Sequence, residues 1–238
     1  MAGHSKWNNI KRKKAKTDSA RARVFTKMGR EISVAVREGG SDPASNGKLR
    51  DLIAKAKSLN VPNDNIERAI KKAGTDGENF EHIIYEGYGP SGVAIIVDCL
   101  TNNRNRTAGD LRHYFDKYGG NLGQSGSVSF LFERKGILLL EGAGLDESKV
   151  MEDCLEAGAL DFQFECDGVE ITTDPDATLV VREAMEQKGY SFEMAQAEYL
   201  PATYVKLDAD DTARMEKLLE LLEANDDVQE VWHNWEDA

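Results

Sequence analysis

The spacing of apolar residues changes near residue 80, and this change limits the possible folds more than any other feature of the chain. Before it, the spacing is helical. At about 100 degrees per residue, Val24, Phe25, Met28, Ile32, Ala35 and Val36 share one side of a helix over residues 18–38, and Arg23, Lys27, Arg30 and Arg37 fall on the other. Asp18 or Ser19 can cap its start and Gly39-Gly40 can close it. The separation is incomplete, because Val34 lands on the basic side and Arg21 near the apolar one. SDPASNGKLRDLIAKAKSLN offers a second helix with Leu49, Leu52, Ile53, Ala56 and Leu59 inward. VPNDNIERAIKKAG offers a third, opened near Pro62 and closed by Gly74. Residues 1–75 read as a small helical domain, and TDGEN at 75–79 has the composition of a linker.

After residue 80 strands and helices mix. IIYEGYG and GVAIIVDCLT flank the turn Pro90-Ser91-Gly92; a helix from Thr107 to about Tyr118 and a strand GSVSFLFE follow. KGILLLE, DESKVMEDCLEAG, LDFQFECD, VEITTD, ATLVVREAMEQKG and FEMAQAEYLP then run β-α-β-β-α-β, the ferredoxin-like order. TYVKLDA, DTARMEKLLELLEAN and VQEVWHN form a last β-α-β that lacks a partner of its own and is read as returning to the sheet begun at residue 82. The expected fold class is therefore α+β. It comprises a basic helical domain (1–75) and two small α/β sandwich domains, one at 80–134 plus 202–238 and one, ferredoxin-like, inserted at 135–201.

Charge is as unevenly distributed as hydropathy. Residues 1–72 hold 18 Lys and Arg against 7 Asp and Glu, a net of +11; the remainder holds 12 against 35, a net of -23. One end of the chain attracts polyanions and the other repels them. The opening MAGHSKWNNIKRKKAKTDSARAR is the densest part, with Lys6, Lys11, Arg12, Lys13, Lys14, Lys16, Arg21 and Arg23 against Asp18 alone. Lys and Arg along a helix neutralise phosphates and release counterions, so these residues and the stripe continuing through Lys27 and Arg30 are candidate nucleic-acid contacts. Trp7 either stacks on an unpaired base or packs the arm against the helical domain. Arg104 and Arg106 sit just ahead of a helix that Thr107 can cap, where unpaired N–H groups favour an anion; alternatively they pair with local acids.

Other chemistries find little support. Cys99, Cys154 and Cys166 have no C-x-x-C spacing and suit buried thiols in a reducing cytosol. The histidines lack metal-ligand spacing, no catalytic motif is present, and the glycines of GGNLGQSGS are not followed by the Lys-Ser/Thr of a phosphate loop. Phe130 and Phe132 in GSVSFLFE read as core residues. No apolar run has the roughly 20 residues of a membrane span, and no secretory signal pattern follows the basic opening. A cytoplasmic protein without metal, cofactor or catalytic residues is expected. The competing class is an acidic protein-interaction adaptor without direct nucleic-acid contact.

Read together, AGHSKW at 2–7, VFTK at 24–27, REGGSDP at 37–43, DNIERAIKKA at 64–73, YEGYGPSG at 85–92, NNRNRT at 102–107, GGNLG at 119–123, GSVSFLF at 126–132 and VQEVWHN at 228–234 closely resemble the YebC/PmpR family. The resemblance implies a three-domain cytoplasmic protein of the kind described as a probable transcriptional regulator that binds DNA. It also implies kinship with a mitochondrial translational activator of cytochrome c oxidase, and ribosome association that helps translation through proline-rich stretches. By position, the family's basic motif corresponds to Gly3, His4, Ser5, Lys6, Trp7 and the basic residues through Arg23. DNA and ribosomal RNA both stay open as partners. No helix-turn-helix motif for reading bases stands out, so general binding is expected ahead of operator recognition.

Overall fold

The computed structural model describes residues 18–76, 79–142, 145–165 and 168–236. The architecture is α+β, with a helical N-terminal region followed by two sheet-containing regions. The described chain divides into two compact units, one reaching to Ser129 and including Val205–Trp235, the other Phe130–Tyr204.

The first unit begins with α1 (Asp18–Gly39), α2 (Gly47–Ser58) and α3 (Asn63–Asp76). The expected apolar face of α1 is the buried one: Met28, Ile32, Ala35 and Val36 pack with Leu49, Ala56, Val61, Ile66 and Ala73. Asn46 secures the α1–α2 corner. Its Oδ1 accepts from Leu49 N at 3.0 Å, capping α2, while its Nδ2 donates to Ala35 O and Gly40 O at 2.8 Å. This corner explains the glycine pair. A Cβ on Gly39 would lie 2.8 Å from the Asn46 side chain, and Gly40 has φ of +88°.

The chain then forms β1 (Glu81–Tyr88) and β2 (Ala94–Thr101), an antiparallel pair joined by a 3-10 turn at Pro90–Gly92. α4 (Arg104–Lys117) leads to the two-residue β3 (Asn121–Leu122), and after the second unit come α7 (Ala209–Ala224) and β8 (Val228–His233). The sheet order is β3-β1-β2-β8, so the C-terminal strand does return to the sheet begun near residue 82. Val93, just before β2, and Ile95, Val97 and Cys99 on one side of that strand meet Leu111 and Phe115 of α4 and Met215, Leu218 and Leu222 of α7. TYVKLDA, residues 203–209, expected as a strand, contributes a single parallel bridge, Val205 to Trp235. Asp208 already caps α7 by accepting from Asp211 N, which leaves no length for a ladder.

A second departure concerns GSVSFLFE. The three N–H groups of Gly126, Val128 and Ser129 donate to the Glu86 carboxylate at 2.8, 2.7 and 2.8 Å, and pairing into a ladder is thereby pre-empted. A 3-10 turn (Ser129–Leu131) follows, and Phe130, expected in the core, is 72% exposed.

The second unit contains β4 (Phe132–Glu141), α5 (Glu147–Ala157), β5 (Asp161–Glu165), β6 (Gly168–Thr173), α6 (Thr178–Gln187) and β7 (Phe192–Pro201). Every pairing is antiparallel and the order is β5-β6-β4-β7. Leu138, Leu140, Val169 and Ile171 face Val150 and Cys154 of α5 and Val181 and Met185 of α6. Ile137 and Leu139, one residue out of phase on β4, pack with Met194 and Leu200.

Candidate nucleic-acid interface

Among the expected contacts, Lys6, Trp7, Lys11, Arg12, Lys13, Lys14 and Lys16 lie outside the described residues, as does the side chain of Arg21. Arg23 is half-buried on the first turns of α1. Further along the same face the cations contact this chain's own acceptors. Lys27 Nζ donates to Glu223 O at 3.1 Å, and Arg37 Nη1 to Asn79 Oδ1 at 3.0 Å. Arg30 Nη1 donates to Leu100 O at 3.2 Å, Asp226 O at 2.6 Å and Asp227 Oδ1 at 2.5 Å, while its guanidinium sits 5.3 Å from the Phe80 ring centroid. The cationic face of α1 therefore seats the helical region against the first sheet.

Asp227 is the centre of that junction. Its side chain is 5% exposed and also accepts from Arg106 Nη2 at 2.8 Å, Thr107 Oγ1 at 2.7 Å and Thr101 Oγ1 at 3.2 Å. Burial alone would raise its pKa, but the hydrogen bonds from Arg106, Thr107 and Arg30 outweigh it and hold the carboxyl below the usual range. Glu31, one residue from Arg30, goes the other way. Burial raises its pKa; Lys55 opposes this from 3.5 Å, and the charges of Glu230 and Asp98 add to it.

α4 starts three residues earlier than expected, because Asn103 and not Thr107 caps it, accepting from Arg106 N at 3.1 Å. Thr107 is buried in the first turn. Of the two arginines proposed there, Arg104 has an exposed side chain and Arg106 is held by Asp227 and Asn102. The anion beside this helix start is thus the chain's own carboxylate. An open cavity of about 330 Å³ lies alongside, lined by Arg30, Asn102, Arg106, Asp110, Ala224, Asn225, Asp226 and Asp227. Three carboxylates against two guanidiniums make it a poor receptor for phosphate.

Besides Arg104, further outward-facing cations lie where the sequence reading named none. Arg50 and Lys57 are exposed on α2, and Arg68 and Lys71 on α3. The signal was present in ERAIKKAG, where Arg68, Lys71 and Lys72 recur at the i, i+3, i+4 spacing of one helix face. Among the described residues no group of His, Cys, Asp and Glu is arranged to hold a metal ion, and no helix is long and apolar enough to cross a membrane. Burial raises the thiol pKa of Cys99, and that of Cys154 to about 11, which leaves both unreactive at neutral pH.

Comparison with known proteins matches this chain along nearly its whole length. Residues 5–76 match the family model of the TACO1/YebC protein N-terminal domain, and residues 80–235 that of the TACO1/YebC second and third domain. A protein of Finegoldia magna described as a "Probable transcriptional regulatory protein" is 56% identical over 240 residues, covering 99% of each chain. One of Ruminiclostridium cellulolyticum with the same description is also 56% identical, over 99% of this chain and 97% of its own. The crystal structure of a conserved hypothetical protein from Aquifex aeolicus is 46% identical and superposes with a TM-score of 0.81, over 94% of this chain and 93% of that one. Matched by both domain models and aligned end to end with these relatives, the chain belongs to the TACO1/YebC family.

Proposed function

We propose that this chain is a cytoplasmic regulator of gene expression that binds nucleic acid through its helical N-terminal region. The observation that carries the reading is the charge division: +11 over residues 1–72 against -23 over the rest. Counterion release at phosphates gives the cationic end an affinity for DNA or RNA that depends little on sequence. Lys6 to Arg23 supply the densest charge, and Arg50, Lys57, Arg68 and Lys71 extend it over α2 and α3. Relatives bearing the description "Probable transcriptional regulatory protein" support a regulatory role.

Between DNA and ribosomal RNA we favour the ribosome. An extended duplex repels a body of charge -23 wherever it lies along it, whereas a ribosome offers phosphate in one place and basic protein in another. On its strand order and β-α-β-β-α-β sequence, we read the unit from Phe130 to Tyr204 as ferredoxin-like. Sedimentation of lysate on gradients, with and without nuclease, tests the ribosomal reading. Co-migration with ribosomes that weakens at high salt supports it; a protein that stays at the top of both gradients while crosslinking recovers defined DNA sites refutes it.

A further inference from the structure

The second unit has an apolar surface of its own. Leu155 is 60% exposed, Leu160 66%, Val180 65% and Leu179 46%. They lie far apart in sequence, and the topology gathers them at one end of the unit. α5 descends to Ala157, where Gly158 with φ of +95° turns the chain so that Ala159 N donates to Cys154 O. Leu160 follows, and its N–H donates to Thr172 O at 2.8 Å, at the end of β6 from which α6 starts. Leu179 and Val180 occupy the first turn of α6, and the two helices pack against each other. Met151, one turn before Leu155 and also exposed, lengthens the strip along α5.

The rim of this surface is acidic. Residues 145–190 hold 13 Asp and Glu against three Lys and Arg. Two of the three cations are engaged locally: Arg182 pairs with Glu186 at 2.7 Å, and Lys188 pairs with Asp153 at 2.6 Å and with Glu156. Glu152, Asp161, Asp174, Asp176 and Glu183 are exposed around the apolar residues.

Charge selects the occupant. Nucleic acid and anionic lipid are repelled, and a second copy meeting this face with the same face brings like charge onto like charge. We propose that the Leu155, Leu160, Leu179 and Val180 surface docks a cationic amphipathic segment of another protein, with apolar side chains on the leucines and Lys or Arg on the acidic rim. This interaction is separate from nucleic-acid binding by the N-terminal region.

The probe is a labelled helical peptide with Leu along one face and Lys along the other, titrated into the full chain and followed by fluorescence anisotropy. Leu155→Ser with Val180→Ser is expected to weaken binding about tenfold or more, from the apolar contact removed. Glu152→Gln with Glu183→Gln is expected to weaken it and to flatten its salt dependence. Methyl resonances of Leu155, Leu160, Leu179 and Val180 in the unsubstituted protein should shift on titration, a readout independent of how the variants fold. The proposal is overturned if the serine variant binds unchanged, if a peptide of equal composition without an apolar face binds as well, or if the shifts fall elsewhere. Self-association that the serine variant abolishes overturns it too, in favour of a second copy.

Discussion

Replacing Asp227 by alanine removes the acceptor shared by Arg30, Arg106, Thr101 and Thr107. Truncating one partner of a buried ion pair costs about 3–5 kcal/mol. Here the lower end applies: Arg30 keeps the carbonyls of Leu100 and Asp226, and Arg106, 46% exposed, rehydrates. The expected loss is therefore about 3 kcal/mol. Urea unfolding followed by the fluorescence of Trp232 and Trp235, both buried in the first unit, reads it out. Arg30→Ala and the double variant complete a cycle whose coupling should be about 1.5–3 kcal/mol. The pH dependence has a definite sign. Because the folded carboxyl titrates below its unfolded value of about 3.9, its contribution is complete above that value and disappears as pH falls through the lower, folded pKa. The gap between the native chain and Asp227→Ala should stay level at neutral pH and close only in strong acid. A loss below about 0.5 kcal/mol, or zero coupling with Arg30, would refute the view that this carboxylate fastens the helical region to the sheet.

Glu86→Ala should free the N–H groups of Gly126, Val128 and Ser129, costing about 2–4 kcal/mol and raising their hydrogen-exchange rates; unchanged protection there would count against the Glu86 anchor. Although burial acts to raise its pKa, those backbone hydrogen bonds hold Glu86 below the usual range, so acid should release the same loop only below the ordinary carboxylate value. Replacing Arg50, Lys57, Arg68 and Lys71 together by Ala should reduce the steepness of log K against log salt on duplex DNA by about 0.9 for each residue that meets a phosphate; an unaltered slope would remove α2 and α3 from the interface. Arg104→Ala should leave stability within about 0.5 kcal/mol, whereas Arg106→Ala should lower it further, because of these two arginines it is Arg106 that pairs with Asp227; equal melting curves would contradict this assignment.

The helical region was legible because its signal is local. Met28, Ile32 and Val36 repeat at helical spacing, and the burial observed follows that spacing. The return of VQEVWHN to the first sheet was legible for a different reason: a lone β-α-β end has edges that need a partner. What sequence could not show were pairings set by the fold across long separations. Arg30 and Asp227 are 197 residues apart, so a cation that docks α1 looks no different from one that meets phosphate. GSVSFLFE alternates like a strand, and Glu86, 40 residues or more earlier, claims its N–H groups instead. Asn103 and Thr107 are both competent caps, and only the buried place of Thr107 beside Asp227 decides between them. In the second unit, the apolar period marks Val150, Cys154 and Val181 as inward, while the exposure of Leu155 and Val180 emerges only once the helices are packed.

The central claim is that the cationic N-terminal region carries nucleic-acid affinity, and salt titration of binding with and without residues 1–23 tests it most directly. Labelled duplex DNA and a ribosomal RNA fragment are titrated with each protein across a range of salt, with melting curves as the control for folding. If about six phosphates are neutralised, the full chain should give a slope of log K against log salt near -5 on the duplex. The truncated chain, which keeps Val24 and the rest of the α1 core face, should melt as a folded protein and lose most of its affinity for both ligands. Undiminished binding by the truncated chain, or a slope near zero for the intact one, would contradict the account.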